Sequence, residues 1–388
     1  MSDTSTPRDL LVSAYTPVLR SGRALRTYGL ARALAAGVSG LDLLYARFEA
    51  PEPDAAFRAI PGIALHQAIP SRGARRLLAY ARTRAGGAPA VIARGASPEL
   101  AAQATSLARA PDRGRVIADG PVVAAALAGL ARRRAVIYNA HNFESGFRHE
   151  LEGAPPAHAL RRFERDLLAH ASESWMVSEP DLAAAHELCP TARLRLVPNV
   201  IDVGAIEPVR ILAPEQRAIF VANFSYAPNR DGLRFLLGEV LPRVWEELPG
   251  AALTLVGAGL QASSTPAARE LQELIGDPRV EAVGFVEDLR EVYARARCAV
   301  VPLLQGGGTP LKLLEALAYG LPVVATPRAG AGLAVRSGEH CLIADGADAF
   351  AAALRGALRD GAPELGRRGR ELVAERYSIE ALGRILSE

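Results

Sequence analysis

Short apolar runs alternate with helix-patterned segments along the whole chain, and this alternation restricts the fold more than any other feature. In the first half the runs are Leu10–Ala14, Leu41–Ala46, Val91–Ala93, Val116–Ala118, Ala135–Tyr138, Ser174–Val177 and Leu194–Val197. In the second half they are Ala218–Ala222, Ala252–Val256, Val280–Val283, Cys298–Pro302, Pro322–Ala325 and Cys341–Ile343. Helices are expected between them at Arg23–Ala36, Pro121–Arg133, Ala157–His170, Asp288–Ala296, Leu311–Tyr319 and Ala347–Leu358. Near-continuous apolar strands separated by helices predict parallel sheets covered on both faces. Two such series, each long enough for its own sheet, predict an α/β protein with two doubly wound domains. The segment Pro198–Pro214 has no clear period and reads as the linker. The expected domains are 1–203 and 204–370, with 371–388 a C-terminal helix packing back on the first. The stretch Glu364–Glu388 reads as helix with a break near Tyr377-Ser378.

The bulk numbers agree with this. A chain of 388 residues calls for two or three domains, and 49% apolar content fills full-sized cores. A net charge of +3 does not mark a strong nucleic-acid binder. Cys189, Cys298 and Cys341 are far apart, with neither disulfide nor zinc spacing, as suits a reducing compartment. The polar start, Met1 to Pro7, reads as neither a signal peptide nor a membrane span, and no stretch approaches ~20 uninterrupted apolar residues. The expected location is the cytoplasm, with contact at the inner face of the membrane left open.

Lys312 is the only lysine. Lysine and arginine together number 45, so the other 44 are arginine. The spared position lies in Gly306-Gly307-Gly308-Thr309-Pro310-Leu311-Lys312-Leu313-Leu314-Glu315, a glycine loop running into a helix. Lysine is a compact, mobile point charge, whereas arginine is a rigid fork. Glycines let backbone N–H groups approach an anion, and a helix start adds dipole and free donors. The combination predicts a phosphate site. Glu315 is three residues after Lys312 on the same helix face, where a carboxylate can accept from ribose hydroxyls.

Other strand-end loops carry candidates, as parallel sheets bind ligands beyond their carboxyl ends. Pro17–Arg23 opens a helix at Gly22. Asn139–Ser145 holds His141, Asn142 and Glu144, where a histidine can donate to a sugar hydroxyl. Asp119 has two equal readings, a functional carboxylate or a helix cap before Gly120-Pro121. Gly257-Ala258-Gly259-Leu260-Gln261-Ala262 formally matches a dinucleotide fingerprint. However, it follows the second strand of its domain and opens no helix directly, so nicotinamide binding is not expected. In Arg72–Arg84, five arginines alternate with Leu77, Leu78 and Tyr80. Such a helix can lie on an anionic membrane, but an ordinary solvated helix of an Arg-rich protein is the preferred reading.

With these residues in view, the chain resembles the retaining glycosyltransferases of the GT-B class, of the family-four type that uses nucleotide-diphosphate sugars. The resemblance covers nearly the whole chain. Its most specific piece is Gly307–Thr326, similar to the family's donor-binding loop and helix. Gly284–Leu289 resembles the base-contacting loop and Val197–Asp202 the interdomain stretch. Ser21-Gly22-Arg23 resembles the N-terminal glycine loop, and His141 the strand-end histidine. The resemblance implies that Glu315 binds the ribose and that Val286 and nearby backbone hold the base. It implies that Gly307, Gly308 and Lys312 hold the diphosphate with Gly22 near it, and that His141 lies close to the transferred sugar. Thr309 and Gly257 join the donor-binding set. Two departures stand out. Gly307 stands where many members carry a second glutamate. Asn223 stands about where an arginine is expected, leaving only Arg230 as a charge in that region. This chain is closer to a subgroup with a GGGT-x-LK loop, familiar in bacterial polysaccharide clusters.

The resulting expectation is a GT-B fold, two doubly wound Rossmann-like domains facing across a cleft. The expected activity is retaining transfer of a hexose-type sugar from a nucleotide-diphosphate donor, with no cofactor and no metal. Lys312 and His141 are the expected catalytic residues. Gly22, Asn223, Arg230, Gly257, Val286, Gly307, Gly308, Thr309 and Glu315 are the expected donor-binding ones. The acceptor is a glycan, a lipid-linked glycan or a small molecule; no nucleic acid is implied. The alternatives are a nucleotide-sugar epimerase of the same fold and a non-catalytic, nucleotide-binding partner subunit.

Overall fold

Every strand pairing in the computed structural model is parallel. The structure describes residues 7–19, 21–37, 40–48, 52–147, 157–210, 215–260, 272–273 and 275–388. The chain divides into one unit of Met1–Val200 with Ile379–Glu388 and a second of Ile201–Ser378.

The first unit contains β1 (Arg8–Ser13), β2 (Leu41–Ala46), β3 (Ile63–Ala68), β4 (Arg113–Asp119), β5 (Ile137–Asn139), β6 (Glu173–Met176) and β7 (Leu194–Leu196). Their order across the sheet is β3-β2-β1-β4-β5-β6-β7. Successive side chains of a strand point to opposite faces. Accordingly Leu10 and Val12 enter one buried cluster and Leu11 another, with helices over both. The helix Gly22–Gly37 covers the second face, and Gly29 admits it closely: a Cβ there would come 2.5 Å from the Val200 side chain.

The second unit contains β8 (Arg217–Val221), β9 (Ala252–Val256), β10 (Val280–Gly284), β11 (Cys298–Val301), β12 (Val323–Ala325) and β13 (Leu342–Ile343), ordered β10-β9-β8-β11-β12-β13. Its core packs Phe220, Leu253 and Leu255 against Leu236, Phe350 and Leu354. Cys189, Cys298 and Cys341 are unpaired and buried.

The final stretch divides as its pattern predicts, into helices Pro363–Arg376 and Ile379–Ser387. The second of these belongs to the first unit. Ile379, Leu382 and Leu386 are buried with Leu30, Leu34 and Trp175, and Arg115 donates to the Leu386 carbonyl at 3.0 Å.

Three sequence expectations require correction. Val91–Ala93 is not a strand but part of a helical turn, Ala90–Ala93, closed by the Pro89 carbonyl accepting from the Ile92 and Ala93 amides. Three apolar residues fit either conformation, and only the packing decides. The strand β3 was not expected. It lies at the sheet edge and is half-buried for most of its length, so it tolerates His66 and Gln67 and lacks a continuous apolar run. The helix expected over Pro121–Arg133 is two short ones, Pro121–Ala126 and Ala128–Ala131, divided where Leu127 takes ψ 6°.

Leu382→Ala should destabilise the first unit by about 2–5 kcal/mol, as a buried leucine is lost with incomplete collapse of the cavity. The two tryptophans, Trp175 and Trp245, divide between the units. In a Trp245→Phe background, urea unfolding followed by Trp175 fluorescence should show the lowered midpoint. An unchanged midpoint would mean that the last helix adds nothing to this core.

Candidate functional site

In the second sheet β8 and β11 are neighbours, and the chain leaves them in opposite directions, to β9 and to β12. Open parallel sheets bind ligands outside the carboxyl ends at such a reversal. The loop after β11 contains the three glycines. Gly306 has φ 128° and Gly308 φ 64°, conformations that side chains disfavour. The loop then enters the helix Leu311–Ala318, which carries Lys312 and Glu315 in adjacent turns.

Lys312 is held from the β8 side. Its Nζ donates to Asn229 Oδ1 at 2.8 Å. Asn229 is buried, and its Nδ2 donates to the Asn223 carbonyl at 2.7 Å. The Asn223 side chain in turn accepts from the Ser225 amide at 3.0 Å. One asparagine therefore ties the two central strand-end loops together and aims the ammonium. Burial pushes Lys312 down to about 8, against the opposing pull of Glu315. Burial likewise pushes Glu315 up to about 7, although a hydrogen bond with Tyr293 and the charge of Lys312 both favour the carboxylate. Tyr293 is itself fixed by stacking on Tyr319, ring centroids 4.6 Å apart. Each of the two groups is thus displaced toward its neutral form.

The remaining expected residues of this unit occupy the same carboxyl edge in differing circumstances. Arg230 Nη1 donates to the carbonyls of Phe224 at 3.1 Å and Ser225 at 2.6 Å, so this guanidinium braces the loop. Gly257 has φ 136°, and a Cβ there would fall 1.8 Å from the Ala222 carbonyl oxygen. Its amide donates to Gly284 at 2.6 Å. Gly259 has φ 89°, and a Cβ there would come 2.3 Å from the Ser225 amide nitrogen. Loop packing thus accounts for both glycines of the formal dinucleotide match; Gln261 and Ala262 lie outside the described residues. Thr309 is buried, and Gly307 lies between the two left-handed glycines. Val286 is half-buried in the loop after β10, beside the exposed Phe285.

In the first unit the corresponding reversal is between β1 and β4. Gly22 opens the exposed first turn of its helix there, after Ser21, whose Oγ accepts from the Ala24 amide. Arg20 lies outside the described residues. Asp119, at the end of β4, is fully buried and accepts from Thr27 Oγ1 at 2.6 Å and Asn139 Nδ2 at 2.8 Å. His141 Nε2 is 2.7 Å from the same carboxylate. Asp119 makes no cap bond to the following helix, whose N-cap is Gly120. Burial raises its proton affinity, but His141, Thr27 and Asn139 outweigh that and leave the pKa lowered. The imidazole packs on Gly120, where a Cβ would meet Cε1 at 2.9 Å.

Arg26 completes this cluster. Its Nη2 donates to Asn139 Oδ1 at 2.5 Å, and its Nη1 to the Val197 carbonyl and Asn199 Oδ1, both at 3.1 Å. Burial pulls the guanidinium down to about 10 despite Asp119 nearby. The backbone amides of Glu144 and Ser145 donate to Glu164, at 2.8 and 2.9 Å. Burial pushes Glu164 up to about 7 in spite of those donors.

Sequence reasoning missed Asn229, Tyr293, Arg26, Asn139 and Glu164. All act through a side chain remote in sequence, and none belongs to a spaced motif. The one available signal was Arg26, a charge on the face of a helix whose neighbours Leu30 and Leu34 face the core. A cavity of about 500 Å³ in the first unit, walled by residues such as Ala125, Tyr138, Phe163 and Leu167, contains none of the expected site residues. Among the described residues no three His, Cys, Asp or Glu side chains gather as a metal site.

Residues 215–360, most of the second unit, match the family model described as Glycosyl transferases group 1. An uncharacterized 44.6 kDa protein in the cps region of Klebsiella pneumoniae is 30% identical over 138 residues, so the match spans 34% of this chain and 34% of that protein. Among solved structures, sucrose-phosphate synthase from Thermosynechococcus elongatus superposes with a TM-score of 0.76 at 20% identity, over 98% of this chain and 97% of its own. HepE of Anabaena, solved in complex with UDP and glucose, superposes with a TM-score of 0.70 at 13% identity, over 98% of both chains. The chain has the GT-B fold.

The displaced carboxyl of Glu315 makes a testable link to stability. A folded pKa raised from 4.5 to about 7 means that the folded chain binds more protons in that window. Stability should therefore fall as pH rises from about 4.5 to 7. Glu315→Gln removes this dependence, so the variant should gain on the wild type across the window by up to about 3 kcal/mol. Urea unfolding read by Trp245 fluorescence in a Trp175→Phe background would measure it. A constant difference across that pH range would show that the carboxyl is not displaced.

Proposed function

We propose that this chain is a glycosyltransferase that moves a sugar from a nucleoside diphosphate donor to an acceptor with retention of anomeric configuration. The observation that carries the reading is Lys312. The sole lysine projects from the first turn of a helix beyond a three-glycine loop, at the reversal of the second sheet, aimed by a buried asparagine. The match of residues 215–360 to Glycosyl transferases group 1 supports it. So does the fold shared with HepE, a protein solved with UDP and glucose.

The roles follow from the chemistry. Breaking the bond between the anomeric carbon and the diphosphate leaves negative charge on phosphate oxygens. Preorganised donors at that point are usually the largest catalytic contribution. Lys312 supplies a charge there, and the Gly306–Gly308 backbone allows close approach. Glu315 accepts from ribose hydroxyls and Val286 lies against the base. Asn223 and Arg230 shape the loop after β8, where Asn229 anchors the lysine. His141, held by Asp119, offers its other ring nitrogen to a sugar hydroxyl. Gly307 in place of a glutamate gives the rival reading of a nucleotide-binding partner subunit its one supporting observation.

A panel of nucleoside diphosphate sugars, assayed for transfer and for slow hydrolysis by the purified chain, tests the reading. Turnover by the chain alone excludes the partner-subunit alternative. Epimerised donor formed without acceptor would instead favour the epimerase, and the anomeric configuration of the product by NMR decides retention. Lys312→Ala should lower kcat about 10²–10³-fold with the fold intact, and Lys312→Arg should rescue it poorly. Near-normal turnover by Lys312→Ala would remove the phosphate assignment. Because a diphosphate favours the charged lysine, nucleotide affinity should be greatest below pH 8. It should weaken as pH rises through about 8, with proton uptake on binding visible by calorimetry in buffers of different ionisation enthalpy.

A further inference from the structure

The helix Ala74–Ala85 is amphipathic in the wrong sense for a core. At about 100° per residue, Ala74, Leu77, Leu78, Ala81 and Ala85 share one arc of about 100°. That arc faces away from the protein. Leu77 is 69% and Leu78 50% exposed, while the helix buries only Ala79. Arg75 and Arg82, both exposed, flank the arc on one side and Arg84 on the other. Arg76 is on the inward side, its guanidinium 4.8 Å from the centre of the Phe48 ring. Ile69, just before the helix, is also 69% exposed.

Within the stretch 55–98 the formal charge has a single sign, although Arg58 pairs with Glu52 outside it. Residues 55–98 contain seven arginines and no aspartate or glutamate, in a chain that has 42 acidic residues elsewhere. Glu99, the first acidic residue after that stretch, is hydrogen-bonded by Ser71 and Ser97. An apolar stripe turned outward and bordered by the exposed Arg75, Arg82 and Arg84 matches an interfacial helix, with leucines in the acyl boundary and guanidinium groups at anionic headgroups. We propose that this face docks the first unit on an anionic phospholipid bilayer. The charge selects this occupant: a protein groove would need a ring of carboxylates, and a second copy would bring the same arginines against these. The proposal does not rest on the glycosyl transfer reading.

Sedimentation of the full chain with vesicles tests it, with no donor present. Binding is expected to phosphatidylglycerol-containing vesicles and not to pure phosphatidylcholine, and should weaken steeply with salt. Arg75→Glu with Arg82→Glu should lower partitioning at least about thirtyfold, since each basic residue near such a surface is worth ~1 kcal/mol. Leu77→Ser with Leu78→Ser should lower it at least about tenfold, because inserted leucines add burial that charge alone does not. All four positions are exposed, so melting temperature should stay at the wild-type value. Should the leucine pair unfold the chain, Leu77→Ser alone serves as the variant. Equal partition to neutral and anionic vesicles, or none to either, overturns the proposal. So does a leucine variant that binds like wild type, which would leave only diffuse attraction. A wild-type dimer in light scattering that Leu77→Ser with Leu78→Ser turns into monomer would show that a second copy covers this face instead.

Discussion

Parallel strands cannot be joined by hairpins, and the rest of this structure depends on that restriction. Each strand must be followed by a crossover long enough to return to the sheet's amino end, usually through a helix. Each sheet also grows in both directions from a starting strand, β1 in one unit and β8 in the other. At the reversal the two outgoing connections separate, which is where open parallel sheets bind ligands. The groups with the most chemistry gather there: Lys312, Asn229 and Glu315 in the second unit, Asp119, His141 and Asn139 in the first.

Those two clusters solve the cost of burying charge differently. In the first, Asp119 and Arg26 belong to one closed network, and each takes several hydrogen bonds. A buried charge held in this way is expensive to disturb, because removing one partner leaves the other uncompensated. In the second, Lys312 has one neutral partner and Glu315 a tyrosine, and both protons are displaced toward neutrality. Displaced ionisable groups of this kind mark a candidate binding site. The first cluster is built as a frame that orients an imidazole.

Much of this was legible in the sequence where it was periodic or compositional. The parallel sheets followed from apolar runs such as Leu10–Ala14 and Cys298–Pro302, since a strand buried on both faces must be apolar throughout. Lys312 was legible because one lysine among 44 arginines is conspicuous. Strand β3 was not, because an edge strand need not be continuously apolar. Nor was Asn229, because a hydrogen bond spanning 83 positions leaves no trace in local spacing. The Ala74–Ala85 helix is the clearest case. Its pattern of leucines and arginines is the same whether the stripe faces in or out, and only packing against Ala79 shows which.

The first unit is interrupted in the chain: its closing helix, Ile379–Ser387, is made only after all of the second unit. Domains generally fold as units during synthesis, earlier ones first. Here that order is inverted in part. The second unit, Ile201–Ser378, is contiguous and can close its core as it emerges. The first must wait, with the Leu30–Leu34 surface of its helix uncovered, until Leu382 and Leu386 arrive. The nascent chain therefore holds an apolar stripe open for nearly half the time of its translation, so this surface, more than any loop, is where chaperone engagement and early aggregation would concentrate.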